Sequence, residues 1–353
     1  MIESSRGLAV DRLLAAGHPV VPVHPNVFHA MCLRWGASKA KTDAGDSMKL
    51  ADYLRTDGDL LPRLEPTEQT TLDLQALTRT RAGHVEARVS AVNQLAALLD
   101  AHWPGGKAVF ANLDSDIAMA FLERYPTPAS AAKLTAGRLE AWCKRRGYSG
   151  KKPGSIQIER LRAAPQAASR ISEAAVEQLV QVQLVQGIRT TIRTLDKAIA
   201  EAVETHPYAP LFATMPRIGK VSLGQIIGEI GPLLERARTS EQLIAEAGVV
   251  PVTRASGKSR TVAFRFATNR RARIALTTFA DNSRHSSDWA AKIYNDARAR
   301  KKRHPPPAIR ILARAWLRVM WACWRDGTCC DPVIHQANNK IDTAAEAPLR
   351  HRG

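Results

Sequence analysis

Residues 39–54 hold the most constraining feature of the sequence, two aspartates three positions apart at the start of a helical pattern. Thr42 and Asp43 are typical helix-start residues, and an apolar stripe follows at helical spacing, formed by Leu50, Ala51 and Leu54. Residues three apart on a helix point the same way, so the carboxylates of Asp43 and Asp46 can converge on one point.

Two interpretations of this pair stay open when it is taken alone. Converging carboxylates repel each other unless a cation lies between them, and hard divalent metals prefer oxygen ligands. An N-cap aspartate followed by a first-turn aspartate is also an ordinary helix start, favoured by the helix dipole. The rest of the chain favours the metal-binding interpretation.

The charge of the chain indicates a polyanionic partner. Its 353 residues include 51 Lys and Arg against 33 Asp and Glu, a net charge of +18. Residues 254–325 alone hold 18 Lys and Arg against 3 Asp and Glu. Nucleic acid is the commonest partner of such a surface, and we expect this region to dominate the electrostatic footprint.

The five cysteines are odd in number and irregularly spaced, which argues against a disulfide framework and for a reducing cytosol. Cys329 and Cys330 are adjacent, which is poor spacing for a zinc site. The sequence shows no apolar run of membrane-spanning length and no signal peptide. We therefore expect a soluble cytoplasmic protein without a membrane partner.

The first 25 residues have a β/α rhythm. Glu3 stands at the end of a strand-like segment, a short helix is expected before Gly17, and a short buried strand bounded by prolines follows at residues 18–25. Only one complete strand precedes Asp43. Either the sheet is completed from elsewhere, or the chain has lost its beginning.

Two long helices are predicted over residues 68–103 and 172–204, with a short helical insert at residues 129–147 between them. Their apolar residues alternate steps of three and four, as in coiled coils. The positions are Val85, Val89, Val92, Ala96 and Leu99 in the first helix, and Val185, Ile188, Ile192, Leu195 and Ile199 in the second. An antiparallel coiled-coil arm, within one chain or between two, and plain bundle helices are equally compatible with this pattern.

Residues 211–231 resemble a helix-hairpin-helix element. Its turn, Pro216 to Gly219, would aim backbone N–H groups at phosphate. Glycine-rich helical hairpins also serve as plain connectors. Further along, residues 309–324 predict an amphipathic helix whose apolar face is core, formed by Leu312, Trp316, Met320 and Trp324.

Ser256 is predicted to lie in a basic loop, followed by Gly257. A serine hydroxyl is a weak nucleophile until it is deprotonated, and nearby cations would favour the alkoxide and hold a phosphate. From the residues alone, a flexible basic turn is the better interpretation. The basic residues expected to bind nucleic acid lie here, in the preceding turn and at the next helix start; they are Arg217, Lys220, Arg254, Lys258, Arg260, Arg270, Arg271 and Arg273.

Taken together, these segments resemble the DEDD-type insertion-sequence transposases of the IS110 (IS116/IS902-like) family, which are bridge-RNA-guided serine recombinases. The resemblance covers nearly the whole chain. It is carried by the order and spacing of the segment Ile2-Glu3, the strand at residues 20–26, the pair Asp43 and Asp46, the motif Tyr125-Pro-Thr-Pro128, and residues 248–260 around Ser256-Gly257-Lys258.

The resemblance implies an α/β plus α fold. A partial RuvC-like (ribonuclease H-like) domain would occupy residues 1–66 and a coiled-coil arm with an insert residues 67–205. A mainly helical transposase domain carrying the hairpin element and the serine would occupy residues 206–330, and a disordered tail residues 331–353.

The resemblance also assigns chemistry. Glu3, Asp43 and Asp46 match family carboxylates that bind divalent metal, here expected to be Mg²⁺, and Ser256 matches the serine that attacks DNA. The implied partners are double-stranded DNA, a non-coding guide (bridge) RNA and further copies of the chain, as a homodimer or tetramer associated with the bacterial nucleoid.

One departure from the family pattern concerns the first aspartate, which lies on a strand before the glutamate in the family and has no counterpart here. The sequence therefore leads us to expect an N-terminally truncated copy that is inactive or incomplete. Two other functions remain open: a nucleic-acid-binding protein without chemistry, and a metal-dependent RuvC-like nuclease that would need the carboxylates but not the serine.

Overall fold

The structure, a computed structural model, describes residues 1–2, 7–36, 42–61, 63–150, 154–165, 174–257, 259–266, 268–301 and 304–331. The chain divides into two compact units. The first joins Met1–Gln75 to Ala202–Gly353, and the second is Ala76–Glu201. In its described residues the chain is mainly helical, as expected for a mainly helical transposase domain.

The N-terminal part of the first unit combines short helices with isolated strand pairing. Its helices are α1 (Leu8–Ala15), α2 (Pro25–Cys32) and α3 (Asp43–Asp57). The predicted short helix is confirmed as α1, and Gly17 follows it with a φ of 75°, a conformation that glycine adopts readily.

The predicted buried strand is present in reduced form. Ile2 forms a parallel bridge with Pro22, and Val20 an antiparallel bridge with Leu64. The Ile2 N–H donates to the Val21 carbonyl at 3.0 Å, and Val20 and Val21 are buried. Because prolines have no N–H group to donate, Pro22 limits this pairing to single bridges. Helix α1 lies in the chain between the two bridged residues, Ile2 and Pro22, so the predicted β/α order is present.

The second unit is built around two long helices, α4 (Gln69–His102), which begins in the first unit, and α10 (Ala174–Glu204). Between them in the chain lie α5 (Pro104–Ala108), α6 (Asp116–Arg124), α7 (Pro128–Ala131), α8 (Ala136–Arg145) and α9 (Ser155–Ala163). Both long helices are therefore confirmed, and the predicted insert is helical.

The packing of α4 confirms part of the predicted stripe and corrects the rest. Leu99 is buried and Val92 packs against the core, whereas Val89 is half exposed. Ala91 and Leu95, outside the predicted stripe, are buried. These residues share a core with Val182 and Val185 of α10 and with aromatic residues from the intervening segment, Trp103, Phe110, Phe121 and Trp142. Because a large aromatic cluster also covers α4, a heptad written for a two-helix seam does not describe its buried face.

The C-terminal part of the first unit is a helical group with one hairpin. Its core contains Ile226, Ile230, Phe279, Leu312 and Trp316. The predicted apolar face is thus confirmed as core for Leu312, Trp316 and Met320. The elements are α11 (Ala209–Phe212), α12 (Lys220–Arg236), α13 (Ser240–Glu246), β1 (Val252–Ser256), β2 (Ser259–Ala263), α14 (Arg270–Ser283), α15 (Asp288–Lys301) and α16 (Pro305–Asp326).

The buried Trp316 side chain also makes a hydrogen bond through its indole N–H group. Its indole Nε1–H donates to the Ser283 hydroxyl at 2.8 Å, and that hydroxyl donates to the Ala280 carbonyl. Two aromatic rings, Phe279 and Trp289, pack against Trp316 with centroid separations of 5.3 and 4.7 Å. These contacts link α14, α15 and α16 to one another.

No helix in the described ranges is both long and apolar enough to cross a membrane. All five cysteines are free thiols.

Candidate functional site

The helix start that carries Asp43 and Asp46 is confirmed as the beginning of α3. Thr42 is the N-cap, and its hydroxyl accepts from the Gly45 N–H at 3.1 Å. A Cβ at Gly45 would lie 2.9 Å from that hydroxyl oxygen, so glycine allows the cap to close tightly. Thr42, and not Asp43, therefore caps the helix, which leaves both carboxylates free of the capping role.

Asp43 and Asp46 differ in their surroundings. Asp43 is exposed, whereas the side chains of Asp46 and Lys49 are only 19% and 18% exposed, with 3.5 Å between the Asp46 Oδ1 and the Lys49 Nζ. Asp46 thus already has a positive neighbour, and Asp43 has open space for a cation.

The third predicted carboxylate, Glu3, lies outside the described residues. Within the described ranges, no three His, Cys, Asp or Glu side chains come together as a metal-binding group. The adjacent Ile2 is bridged to the buried strand segment at residues 20–23. The donor chemistry of Asp43 and Asp46 suits a hard divalent ion, and the role of Glu3 as a third ligand stays a prediction.

Ser256 is the last residue of β1, which corrects the prediction that it lies in a loop. Residues 252–263 form an antiparallel hairpin in which Ser256 pairs with Ser259 across the turn. Ser256 is exposed, and Gly257 in the turn has a φ of 51°. Glycine suits that left-handed turn position, and two-residue turns of this kind join paired strands. The hairpin thus presents a serine hydroxyl at its tip.

The predicted cations around this serine are only partly described. Arg254 lies on β1 opposite Thr261, and Arg260 lies on β2 opposite Ala255. Lys258 lies outside the described residues. The hairpin backbone therefore brings Arg254 and Arg260 within two positions of the tip on the two strands.

The predicted phosphate-binding turn precedes α12. Arg217 is the one non-glycine residue of the described chain with a positive φ, at 55°. This left-handed conformation is unusual for arginine. Gly219 is the N-cap of α12 without a side-chain cap bond, and Lys220, the first helical residue, is ion-paired with Glu204. Arg217 remains the more available of the two predicted cations.

The third group of predicted cations lies at the start of α14. Asn269 caps this helix by accepting from the N–H groups of Arg271 and Ala272 at 3.1 and 3.2 Å. Arg270 and Arg271 are exposed in the first turn. Arg273 is partly buried, and its guanidinium donates to the Arg265 carbonyl at 2.9 Å. The exposed pair can reach a polyanion, whereas Arg273 also has a structural role.

The sequence analysis missed two aromatic residues that follow the hairpin, Phe264 and Phe266. Phe266 is 82% exposed, and its ring centroid lies 4.9 Å from that of Phe264. The guanidinium groups of Arg273 and Arg310 lie over the Phe264 ring at 4.5 and 5.0 Å. The available signal was the spacing Phe-x-Phe inside the most basic region, since aromatic residues among cations are typical of nucleic-acid contacts.

A buried polar cluster connects the start of α4 with α11 and α12. His206 Nδ1 accepts from the Tyr208 N–H at 3.1 Å, so Nε2 carries the proton and donates to the Thr71 hydroxyl at 3.0 Å. Burial lowers the pKa of His206, against a smaller opposing effect of Glu68. The Tyr208 hydroxyl donates to Glu235 at 2.7 Å, and burial first and Glu235 second raise the pKa of Tyr208 to about 12.

Comparison with known proteins identifies the class. A model of IS110-type DEDD transposases matches residues 1–104, which include Asp43 and Asp46. A second model, described as the transposase IS116/IS110/IS902 family, matches residues 209–295, which include Ser256 and the hairpin.

Individual relatives extend the likeness over most of the chain. The "Mini-circle putative transposase for IS117" of Streptomyces coelicolor is 30% identical over 323 residues, 89% of this chain and 78% of the relative. A 44.8 kDa protein of insertion element IS116 from Streptomyces clavuligerus is 29% identical over 348 residues, 92% of this chain and 81% of the relative. A 42 kDa protein of insertion element IS900 from Mycobacterium paratuberculosis is 26% identical over 334 residues.

The mainly helical fold and these matches define an insertion-sequence transposase. Within that class, the chain belongs to the IS116/IS110/IS902 family.

Proposed function

We propose that the chemistry of this chain is cleavage and exchange of DNA strands with Ser256 as the nucleophile, and that full activity needs the family's first aspartate, which has no counterpart in this sequence. The observation that carries the proposal is the position of Ser256 at the exposed tip of the β1–β2 hairpin. A tip of this kind can enter a groove of nucleic acid. The basic character of residues 254–325 supplies the attraction for phosphate.

The covalent step balances as a transesterification. The Ser256 oxygen forms a bond to phosphorus, the bond from phosphorus to a sugar oxygen breaks, and the serine proton passes through a base to that leaving oxygen. A hydroxyl of a second strand then reverses the step and restores the serine. The phosphodiester energy is kept in the protein–DNA ester, which suits strand exchange better than hydrolysis does.

Glu3, Asp43 and Asp46 are proposed to hold a divalent cation, Mg²⁺, next to the reacting phosphate. When bound, the ion would supply Lewis-acid stabilisation of negative charge on phosphate oxygens. The contribution of the chain is to hold Asp43 on the capped first turn of α3, with Asp46 one helical turn away and partly shielded by Lys49.

The nucleic-acid contacts are proposed to fall into two groups. Arg270 and Arg271 are exposed and would contact phosphate directly, together with Arg217 and the hairpin cations Arg254, Lys258 and Arg260. Lys220 and Arg273 also have partners within the chain, Glu204 and the Arg265 carbonyl, so they would both contact nucleic acid and position the elements around them.

Guide RNA and self-association complete the proposal. Base pairing with a non-coding RNA would select the DNA sequence, while the protein holds backbones and does the chemistry, as in other guided nucleases. A homodimer or tetramer would let the Ser256 hairpin of one subunit complete the carboxylate site of another. Such a composite site explains how residues so far apart in sequence act on one phosphate.

Mixed-subunit strand exchange tests the proposal directly, in a version of the chain that also carries the family's first aspartate. Asp43→Asn and Ser256→Ala should each abolish exchange in reactions containing guide RNA, DNA and Mg²⁺, whereas Ser259→Ala should be active. If the site is composite, mixing the two inactive variants should restore part of the activity. Activity of Ser256→Ala alone would favour a metal-dependent nuclease, and no activity of that version on any DNA would favour a binding protein without chemistry.

A further inference from the structure

Phe266 is one of several exposed apolar side chains in the most basic part of the chain. Phe266 is 82% exposed, and Val262 and Ile274 are 61% and 51% exposed. Fully burying a phenylalanine side chain is strongly favourable, so a ring left this open in a packed unit is available to a partner. The position is distinct from the hairpin tip and from the carboxylates of α3.

The Phe266 ring is held in place although it is open to solvent. It meets the Phe264 ring at 78°, an edge-to-face arrangement. Phe264 is in turn fixed by the guanidinium groups of Arg273 and Arg310. Arg273 is itself tied to the chain by its bond to the Arg265 carbonyl. An aromatic ring oriented in advance loses little freedom when a flat partner stacks on it.

The two arginines that hold Phe264 also line a cleft of about 350 Å³ between α14 and the start of α16. That volume falls within the range of roughly 300–1,000 Å³ typical of small-ligand sites. The cleft offers cationic, donor and acceptor groups, namely Arg273, Arg310, Thr277, Thr278, Asp281 and Asn282. The exposed Phe266 ring thus contacts Phe264, which in turn contacts the two arginines of the cleft. The cleft can receive a phosphate and the polar edges of a base.

Charge decides which partner fits this surface. Arg273 and Arg310 lie against the Phe264 ring that contacts Phe266, Arg270 and Arg271 are exposed in the first turn of α14, and residues 254–325 carry a large positive excess. A second copy of the chain meeting Phe266 symmetrically would bring like charges together. A polyanion with flat apolar groups is complementary in both respects, and that combination is a nucleic acid with unpaired bases.

We propose that Phe266 and the cleft lined by Arg273 and Arg310 bind an unpaired nucleotide of RNA or DNA. The base stacks on Phe266, and the adjoining backbone crosses the two arginines into the cleft. Bases inside a duplex are stacked on each other and cannot use the ring, so the site prefers single strands and extruded nucleotides. This inference rests on the nucleic-acid binding in the proposed function and adds a strand-type preference to it.

Fluorescence anisotropy with short labelled oligonucleotides tests the inference on the full chain. The probes are single-stranded RNA, single-stranded DNA and a duplex of the same length. Phe266→Ala and Phe266→Leu should weaken single-strand binding by about 5-fold to 150-fold, the usual effect of losing one stacked base. Phe266→Tyr should bind as the unaltered chain does, and duplex binding should change little. Comparing the RNA and DNA arms shows which strand the site prefers.

Leu60→Ala is the matched control, because Leu60 is 80% exposed on a different part of the chain. It should leave every affinity unchanged. Wild-type affinity in Phe266→Leu would overturn the stacking inference, as would an equal loss on single strands and duplex. A changed sedimentation coefficient of Phe266→Ala with unchanged oligonucleotide binding would identify a protein interface instead and also overturn it. The two proposals can fail separately. If Phe266→Ala loses single-strand affinity while Ser256→Ala remains fully active, the nucleotide-binding inference is supported and the proposed nucleophile is contradicted.

Discussion

Ser256 and Ser259 face each other as the last residue pair of the β1–β2 hairpin. Directly opposed residues of an antiparallel pair project from the same face of the ladder. The two serines therefore share a side-chain chemistry, a local backbone and a position at the tip. This relationship supplies an internal control, because only one of the two lies at the position assigned to the nucleophile.

Thr42→Ala should loosen the first turn of α3. The substitution removes the acceptor of the Gly45 N–H and should cost about 0.5–2 kcal/mol of local stability. Hydrogen exchange should show the Gly45 amide exchanging faster, with more distant amides little changed. Thr239→Ala, which removes the same kind of cap from α13, should leave exchange in α3 unaltered. Equal protection of Gly45 in both variants would contradict the capping role.

Asp43→Asn should impair metal-dependent chemistry without unfolding the chain. Removing a residue that only hydrogen-bonds to a metal ligand typically lowers metal affinity or activity by about 10- to 100-fold. Removing a ligand that touches the metal should lower them at least as much. Strand cleavage measured across a Mg²⁺ titration checks the effect, with circular dichroism as the folding control. Asp59→Asn, in the turn that follows α3, should behave like the unaltered protein. Unaltered cleavage by Asp43→Asn would show that the carboxylate only marks a helix start.

His206 should make the stability of the first unit depend on pH. Burial lowers its pKa in the folded state below the ordinary value near 6.5. The unfolded chain therefore binds more protons as the pH falls through about 6.5, and the free energy of unfolding decreases in that direction. Urea unfolding midpoints between roughly pH 7.5 and 5.5 should drop more in the unaltered chain than in His206→Asn, which does not titrate. Parallel midpoints in the two proteins would contradict this role.

Arg270 and Arg271 should contribute to affinity through counterion release. The logarithm of duplex affinity should fall with the logarithm of salt concentration by roughly 0.9 per neutralised phosphate. Arg270→Gln and Arg271→Gln should each lower that slope by about one and weaken all sequences alike. Arg12→Gln, an exposed arginine of α1, is the charge-matched control. Binding that barely changes with salt would contradict the assignment of the basic region.

The sequence predicted features that depend on local chemistry. Thr42 fixes the start of α3 through capping. The apolar spacing of α10 predicts its buried face, where Val185, Ile192 and Ile199 are buried. The heptad places Val89 on the buried face because a heptad describes the contact of a helix with one partner helix. In the structure α4 also packs against a broad aromatic cluster, and the spacing of its apolar residues does not predict that contact.

The candidate site was less accessible to sequence reasoning. Ser256 was expected in a loop, although the β-branched residues flanking Ser-Gly-Lys-Ser are also a hairpin signal. The spacing Phe-x-Phe in the basic region is a signal for Phe266, but it does not predict how exposed that ring is. The link from Phe266 through Phe264 to two arginines arises only when the segment after β2 meets α14 and α16.

Mapping the protein–DNA adduct tests the central claim most directly. The chain, in a version that also carries the family's first aspartate, is incubated with guide RNA, DNA and Mg²⁺. It is then denatured and digested with protease, and the peptide that carries nucleotide is sequenced by mass spectrometry. The account predicts a nucleotide on Ser256, an adduct of normal yield in Ser259→Ala and none in Ser256→Ala. A nucleotide on another residue, or exchanged products formed by Ser256→Ala, would contradict it.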